Sequence, residues 1–172
     1  MNKKQLNRLL EENRACITAR EWIGTRTAKK AWDECPRGDW LLWIASRGGV
    51  DRKRVVLAAC ACARLALKFV KADENRPFKA IETAEAWTRG EATIGEVRSA
   101  AYAAADAAAY ADAYAAAASA ATAAAYADAY ASAASYAAAD ARTEMQQKTA
   151  IEVREVIKLQ DVLKAVRSRK TK

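Results

Sequence analysis

The 172-residue sequence predicts an all-α fold: a multi-helix bundle, or stacked helical hairpins, with a long alanine-rich helical segment. Three observations predict it. Between residues 100 and 141, 28 of 42 residues are alanine, which loses no side-chain entropy in a helix. Outside that tract, apolar residues recur at helical spacing, with capping residues between the runs. Helix breakers are scarce, with two prolines and six glycines, and the glycines all fall in the first 95 residues.

Residues 2–13 read as a short amphipathic helix with Leu6, Leu9 and Leu10 on one face. Residues 15–23 add a turn or two, ended by Gly24, and residues 27–35 a short helix stopped by Pro36 and Gly38. Asp39 suits the N-cap of a helix over 40–46, which Gly48 and Gly49 close. Asp51 suits the cap of the next helix, 52–71. Its stretch from Val55 to Ala63 is apolar nearly all round, the pattern of a central, buried helix. Residues 72–76 form a polar loop. Pro77 then stands where a first helical residue belongs, since its missing N–H is no loss there. That helix, 77–89, ends at Gly90, and Thr93 and Glu96 have the capping-box spacing that opens the alanine tract.

Within the tract the nine residues AAAYADAYA at 107–115 recur at 123–131. An offset of sixteen turns the copy by about 160° on a straight helix, and a single rod over the tract would be about 60 Å long. Two or more shorter helices that fold back, with a break near 116–122, fit the repeat better. Residues 144–167 read as one amphipathic helix. Val156, Leu159, Leu163 and Val166 form its stripe, Ile151 and Val162 lie beside it, and 168–172 is a frayed basic tail. The expected organisation is one helical domain over 1–172. It has mixed helices to 98, alanine-rich helices over 99–142 and an amphipathic end from 143.

Charge is uneven. Residues 1–31 carry eight basic and three acidic side chains, and residues 142–172 nine and four, so each end is +5. Residues 100–141 hold four aspartates and no base. Two basic ends that partly neutralise an acidic middle explain this pattern, and a basic patch for nucleic acid is the competing reading.

With no histidine, the commonest general base and the Ser-His-Asp and Cys-His pairs are missing, and no Gly-rich phosphate loop occurs. Glu82 and Glu85 could act as a carboxylate pair on one helix face, but such pairs are usually solvated surface residues. Cys60 and Cys62 point about 200° apart on a helix and cannot chelate one ion, so neither a metal nor a cofactor is expected. The first fourteen residues are polar rather than apolar, and no run is long enough to span a bilayer. A cytoplasmic, non-membrane protein with free thiols is the expectation.

Two segments stand out as candidate binding sites. In AWDECPRGDWLLWIA (31–45), Arg37, Asp39 and Trp40 combine a donor fork, a carboxylate and a large amphipathic ring; Trp and Arg are favoured interface anchors. The alternative is that Trp40 and Trp43 fill the core beside small alanines, with Arg37 and Asp39 exposed. In the second segment, Asp73, Glu74 and Arg76 form a polar loop before a helix; the alternative is that Asp73 or Asn75 is an ordinary cap. A second face combines Tyr110, Asp112, Tyr114, Tyr126, Asp128 and Tyr130 on the alanine scaffold. Tyrosines of this kind also pack between helices with their hydroxyls in water.

The first of these runs, then CARLAL (62–67), ADENRPFKAIETAEAWTRGEAT (72–93), the alanine tract and TAIEVREVI (149–157) occur in fixed order. Together they resemble the alanine-rich bacterial and phage immunity-like proteins associated with toxin systems, from about residue 15 to residue 157. The resemblance implies a small non-catalytic protein that neutralises a protein partner, a toxin or a host defence component, by binding it. Members of that group carry Arg or Trp within the alanine repeats where this chain has Tyr, Asp and Ser, so binding by the tract is not carried over. Two other readings stand beside it: a binder of DNA, RNA or a signalling nucleotide through the basic ends, and a structural homo-oligomer.

Overall fold

The computed structural model describes residues 3–70, 72–108 and 139–169. Among these residues there are nine α-helices and no strand, so the fold is all-α. In chain order they are α1 (Lys3–Glu12), α2 (Ile17–Ile23), α3 (Ala28–Glu34), α4 (Gly38–Gly48), α5 (Arg52–Arg64), α6 (Arg76–Arg89), α7 (Ile94–Ala108), α8 (Ala139–Val156) and α9 (Leu159–Arg169). No described helix is long and apolar enough to cross a membrane.

Local chemistry sets many of the boundaries. Thr27 Oγ1 accepts the Lys30 N–H at 3.2 Å to start α3, and Asp51 Oδ1 accepts the Arg54 N–H at 3.2 Å to start α5. Thr93 and Glu96 form the expected reciprocal cap of α7. The Thr93 N–H donates to Glu96 Oε2 at 2.6 Å, and the Glu96 N–H donates to Thr93 Oγ1 at 3.2 Å. Gly49 ends α4 at φ 89°, a left-handed conformation that suits a residue without Cβ.

Four boundaries differ from the sequence expectation. Helix α4 begins at Gly38, so Asp39 lies in its first turn and Arg37 occupies the cap position. Helix α5 stops at Arg64. There, bonds from Leu65 to Cys62 and from Ala66 to Ala63 tighten the chain into a 3₁₀ turn at Leu67–Phe69, which tucks Leu67 against the core. Asn75 makes no side-chain cap for α6; Glu74 takes the Arg76 N–H instead, at 3.0 Å. The expected single C-terminal helix is two, α8 and α9. At their joint Asp161 Oδ2 accepts the Lys158 N–H at 3.0 Å. The buried face there is Val153, Ile157 and Val162, while Ile151 is 55% exposed.

Helix α5 has the central place its all-round apolar pattern predicts. Val55, Ala58 and Ala59 face one cluster with Leu41 and Ala45 of α4, Val153 of α8 and Ile157 of the joint that follows it. Val56, Cys60 and Ala63 face a second cluster with Ile81 and Val97 of α6 and α7. Helices α6 and α7 meet through Ala80, Ala101 and Ala104, small residues that let helix axes approach closely. Helix α8 lies against both α4 and α5, and α9 against α4. The expected fold-back near 116–122 and the face of Tyr110, Asp112, Tyr114, Tyr126, Asp128 and Tyr130 lie outside the described residues.

Candidate binding cleft

Four of the five tryptophans line one cleft of about 380 Å³. Helix α1 contributes Leu6 and Leu10, α2 Trp22, α3 Trp32, α4 Trp40 and Trp43, and α9 Val162. Leu6 and Leu10 are buried because four-residue spacing puts them on one face of α1, turned toward Ala28 and Ala31 of α3. Trp32 is buried, whereas Trp22, Trp40 and Trp43 are half-buried, so Trp40 and Trp43 are wall residues rather than the full core residues weighed from the sequence.

One wall is an alternating stack. The Trp22 and Trp40 rings lie 6.0 Å apart at 58°. The Arg26 guanidinium sits over Trp22 at 4.5 Å, and that of Arg37 over Trp40 at 4.6 Å. Arg37 and Asp39 are a bonded pair. Arg37 Nε donates to Asp39 Oδ1 at 3.0 Å, and Nη2 donates to the other carboxylate oxygen. Asp39 is buried, contrary to the expectation of an exposed carboxylate, and its hydrogen bonds raise the Arg37 pKa further above its ordinary value. Arg37 therefore holds the Trp40 ring more than it offers a free fork. The link before it is fixed from α8, where Arg154 donates to the Cys35 carbonyl at 2.9 Å.

Sequence reasoning missed Trp22 and Arg14. Trp22 was legible through Ala15, Ala19, Trp22 and Ile23, whose spacing marks one helix face. Arg14 was not, because its position depends on the turn after α1. There the Ala15 N–H reaches Leu10 O at 2.8 Å and the Arg14 N–H reaches Glu11 O at 3.0 Å, with Arg14 in the left-handed region at φ 55°.

The remaining candidates lie elsewhere. Asp73, Glu74 and Arg76 do not contribute to the cleft lining. Glu74 and Arg76 bind each other, and the Arg76 guanidinium and N–H hold the Glu74 carboxyl down at about 2. Glu85 is bridged to α5 by Arg64 at 2.9 and 2.7 Å rather than paired with Glu82, which is exposed.

The cleft offers shape, aromatic surface and positive charge. Among the described residues Asp39 is the one carboxylate in its lining, and Arg37 already neutralises it. Of the thiols, burial pushes Cys35 upward and Cys60 up to about 12, while Cys16, at the cleft, is exposed. Among the described residues no cluster of three or more His, Cys, Asp or Glu could hold a metal.

A family model described as Imm-5 like putative immunity protein matches residues 48–165, more than half of the chain. The chain belongs to this family. No curated protein and no solved structure matches it. The family span takes in α5 to α8 and most of α9. It begins at Gly48, so the run at 31–45 that carried much of the resemblance lies before it. Among cleft residues the family span supplies Leu159 and Val162 of α9; the four tryptophans precede it.

Proposed function

We propose that this chain is a non-catalytic helical binding protein of immunity or anti-defence type. It neutralises a protein partner, a toxin or a defence component, by occluding it within the cytoplasm. The single observation that carries this reading is the cleft. Half-buried tryptophans and arginine are the side chains that dominate protein interfaces, and here three such rings line one opening beside a locked Arg–Asp pair. Membership of an immunity-like family supports the class of function.

Affinity capture with the full chain from its native host tests the proposal. The expected outcome is a stoichiometric protein complex in which the partner loses its activity. Capture of a partner whose activity is unchanged by the chain would reject occlusion. A neighbouring toxin gene would mark classical immunity, and a cassette of small phage genes would mark anti-defence. Polyanion binding is the second reading, favoured by the net charge of +8.

A further inference from the structure

The charge of the cleft is one-sided. Its charged lining residues are Arg14, Arg37 and Asp39, and the last two already neutralise each other. Arg14 is exposed and, among the described residues, makes no ion pair. It is also the one non-glycine residue there with left-handed backbone, a conformation that glycine or asparagine adopts more easily. A cation placed on unfavourable backbone at the mouth of an apolar cleft points to a role for its side chain. The surrounding chain adds to the field, since residues 1–31 are net +5. The volume of about 380 Å³ is at the small end for ligand pockets, which run from about 300 to 1,000 Å³, and fits a bulky side chain rather than a whole helix.

We infer that the cleft receives a bulky apolar side chain carried on an acidic segment of a protein partner, with Arg14 facing the carboxylates of that segment. The inference rests on the protein-partner reading above. Tryptophan walls supply the apolar contact, and the unpaired cation supplies selection against basic segments.

Panning the full-length chain against random dodecapeptides displayed on phage tests it. Enriched peptides should carry an aromatic or branched aliphatic residue flanked by Asp or Glu. Synthesised, they should move the indole N–H signals of Trp22, Trp40 and Trp43 in NMR spectra and leave that of Trp87, which lies on α6 against the second cluster and outside the cleft. Arg14→Gly relieves the backbone and so keeps the fold; it should weaken the peptide about threefold, and Arg14→Glu about tenfold. The inference is overturned by no enriched peptide, by peptides without acidic bias, by unchanged affinity in both Arg14 variants, or by movement at Trp87 instead. Indole signals that move with protein concentration alone would make the occupant a second copy of the chain and also overturn it. A captured host partner that binds the Arg14→Glu chain as tightly as wild type would remove the cleft assignment and leave the partner reading standing. Peptide binding as described, with no partner inhibited in the host, would do the reverse.

Discussion

Arg14 and Gly38 each set a local preference against a tertiary need. For Arg14, the left-handed φ of 55° costs an L residue about 1–2 kcal/mol, partly offset because glycine in its place would gain more freedom on unfolding. Arg14→Gly should therefore stabilise the chain by about 0.5–1 kcal/mol, seen as a higher urea midpoint at unchanged slope. Gly38 presents the opposite conflict. Helix propensity alone makes Gly38→Ala stabilising by up to about 1 kcal/mol. The added Cβ, however, would stand 2.5 Å from Thr149 Oγ1 and 2.6 Å from the Thr149 carbonyl carbon of α8. Overpacking of that kind costs about 1–3 kcal/mol and should win, so the urea midpoint should fall. A rise in that midpoint would mean that α4 and α8 are not in this close contact.

At the scale of elements, the joint between α8 and α9 shows how tertiary contacts end a helix that the local sequence would continue. No glycine or proline stands near Ile157 and Lys158, so the pattern from 144 to 167 reads as one helix. The break is held from α5, where Arg54 Nη2 donates to the Val156 carbonyl at 2.8 Å and lies 2.9 Å from Asp161 Oδ2. One guanidinium thus satisfies the end of α8 and the start of α9, which a sequence window cannot reveal because the residues are 102 apart. Arg54→Ala should destabilise the fold by about 1–2 kcal/mol. The Arg54 and Lys158 hydrogen bonds hold the Asp161 carboxyl below its ordinary value. The native state therefore binds this proton less readily than the unfolded chain. Its contribution to stability is complete above the usual Asp pKa, about 3.9, and is lost as pH falls through the lower folded value. Between neutral pH and that acidic range, the difference in unfolding free energy between wild type and Asp161→Asn should shrink; a constant difference would mean that the pair does not form.

For the molecule as a whole, the all-α class was legible because composition, caps and periodicity agree, and α5 was legible as the central helix because two of its faces are apolar. The cleft was only half legible. Its Trp40 wall and the α1 leucines were visible as separate patterns, but α1, α2, α4 and α9 meet there from opposite ends of the chain. Residue spacing does not report such meetings, nor that Arg37 and Asp39 would neutralise each other. The basic ends invite a test at the same scale. A +8 chain should bind DNA or RNA weakly and lose that binding near physiological salt, because the attraction comes from counterion release. Tight, sequence-selective binding that persists at that salt, measured by fluorescence anisotropy, would favour the polyanion reading over the protein partner.

The glycines at the two ends of α4 have a kinetic consequence. Gly38 presses on Thr149 of α8, and Gly48 lies 3.2 Å and 3.3 Å, by its would-be Cβ, from Val162 and Val166 of α9. Pinned at both ends, α4 cannot roll without driving backbone into a neighbour, so under the proposed function Trp40 and Trp43 are held in place before the partner arrives. Recognition then loses little ordering entropy and needs no slow opening step. Amide hydrogens in the middle of α4 should exchange only through global unfolding, and partner association should follow a single concentration-dependent phase.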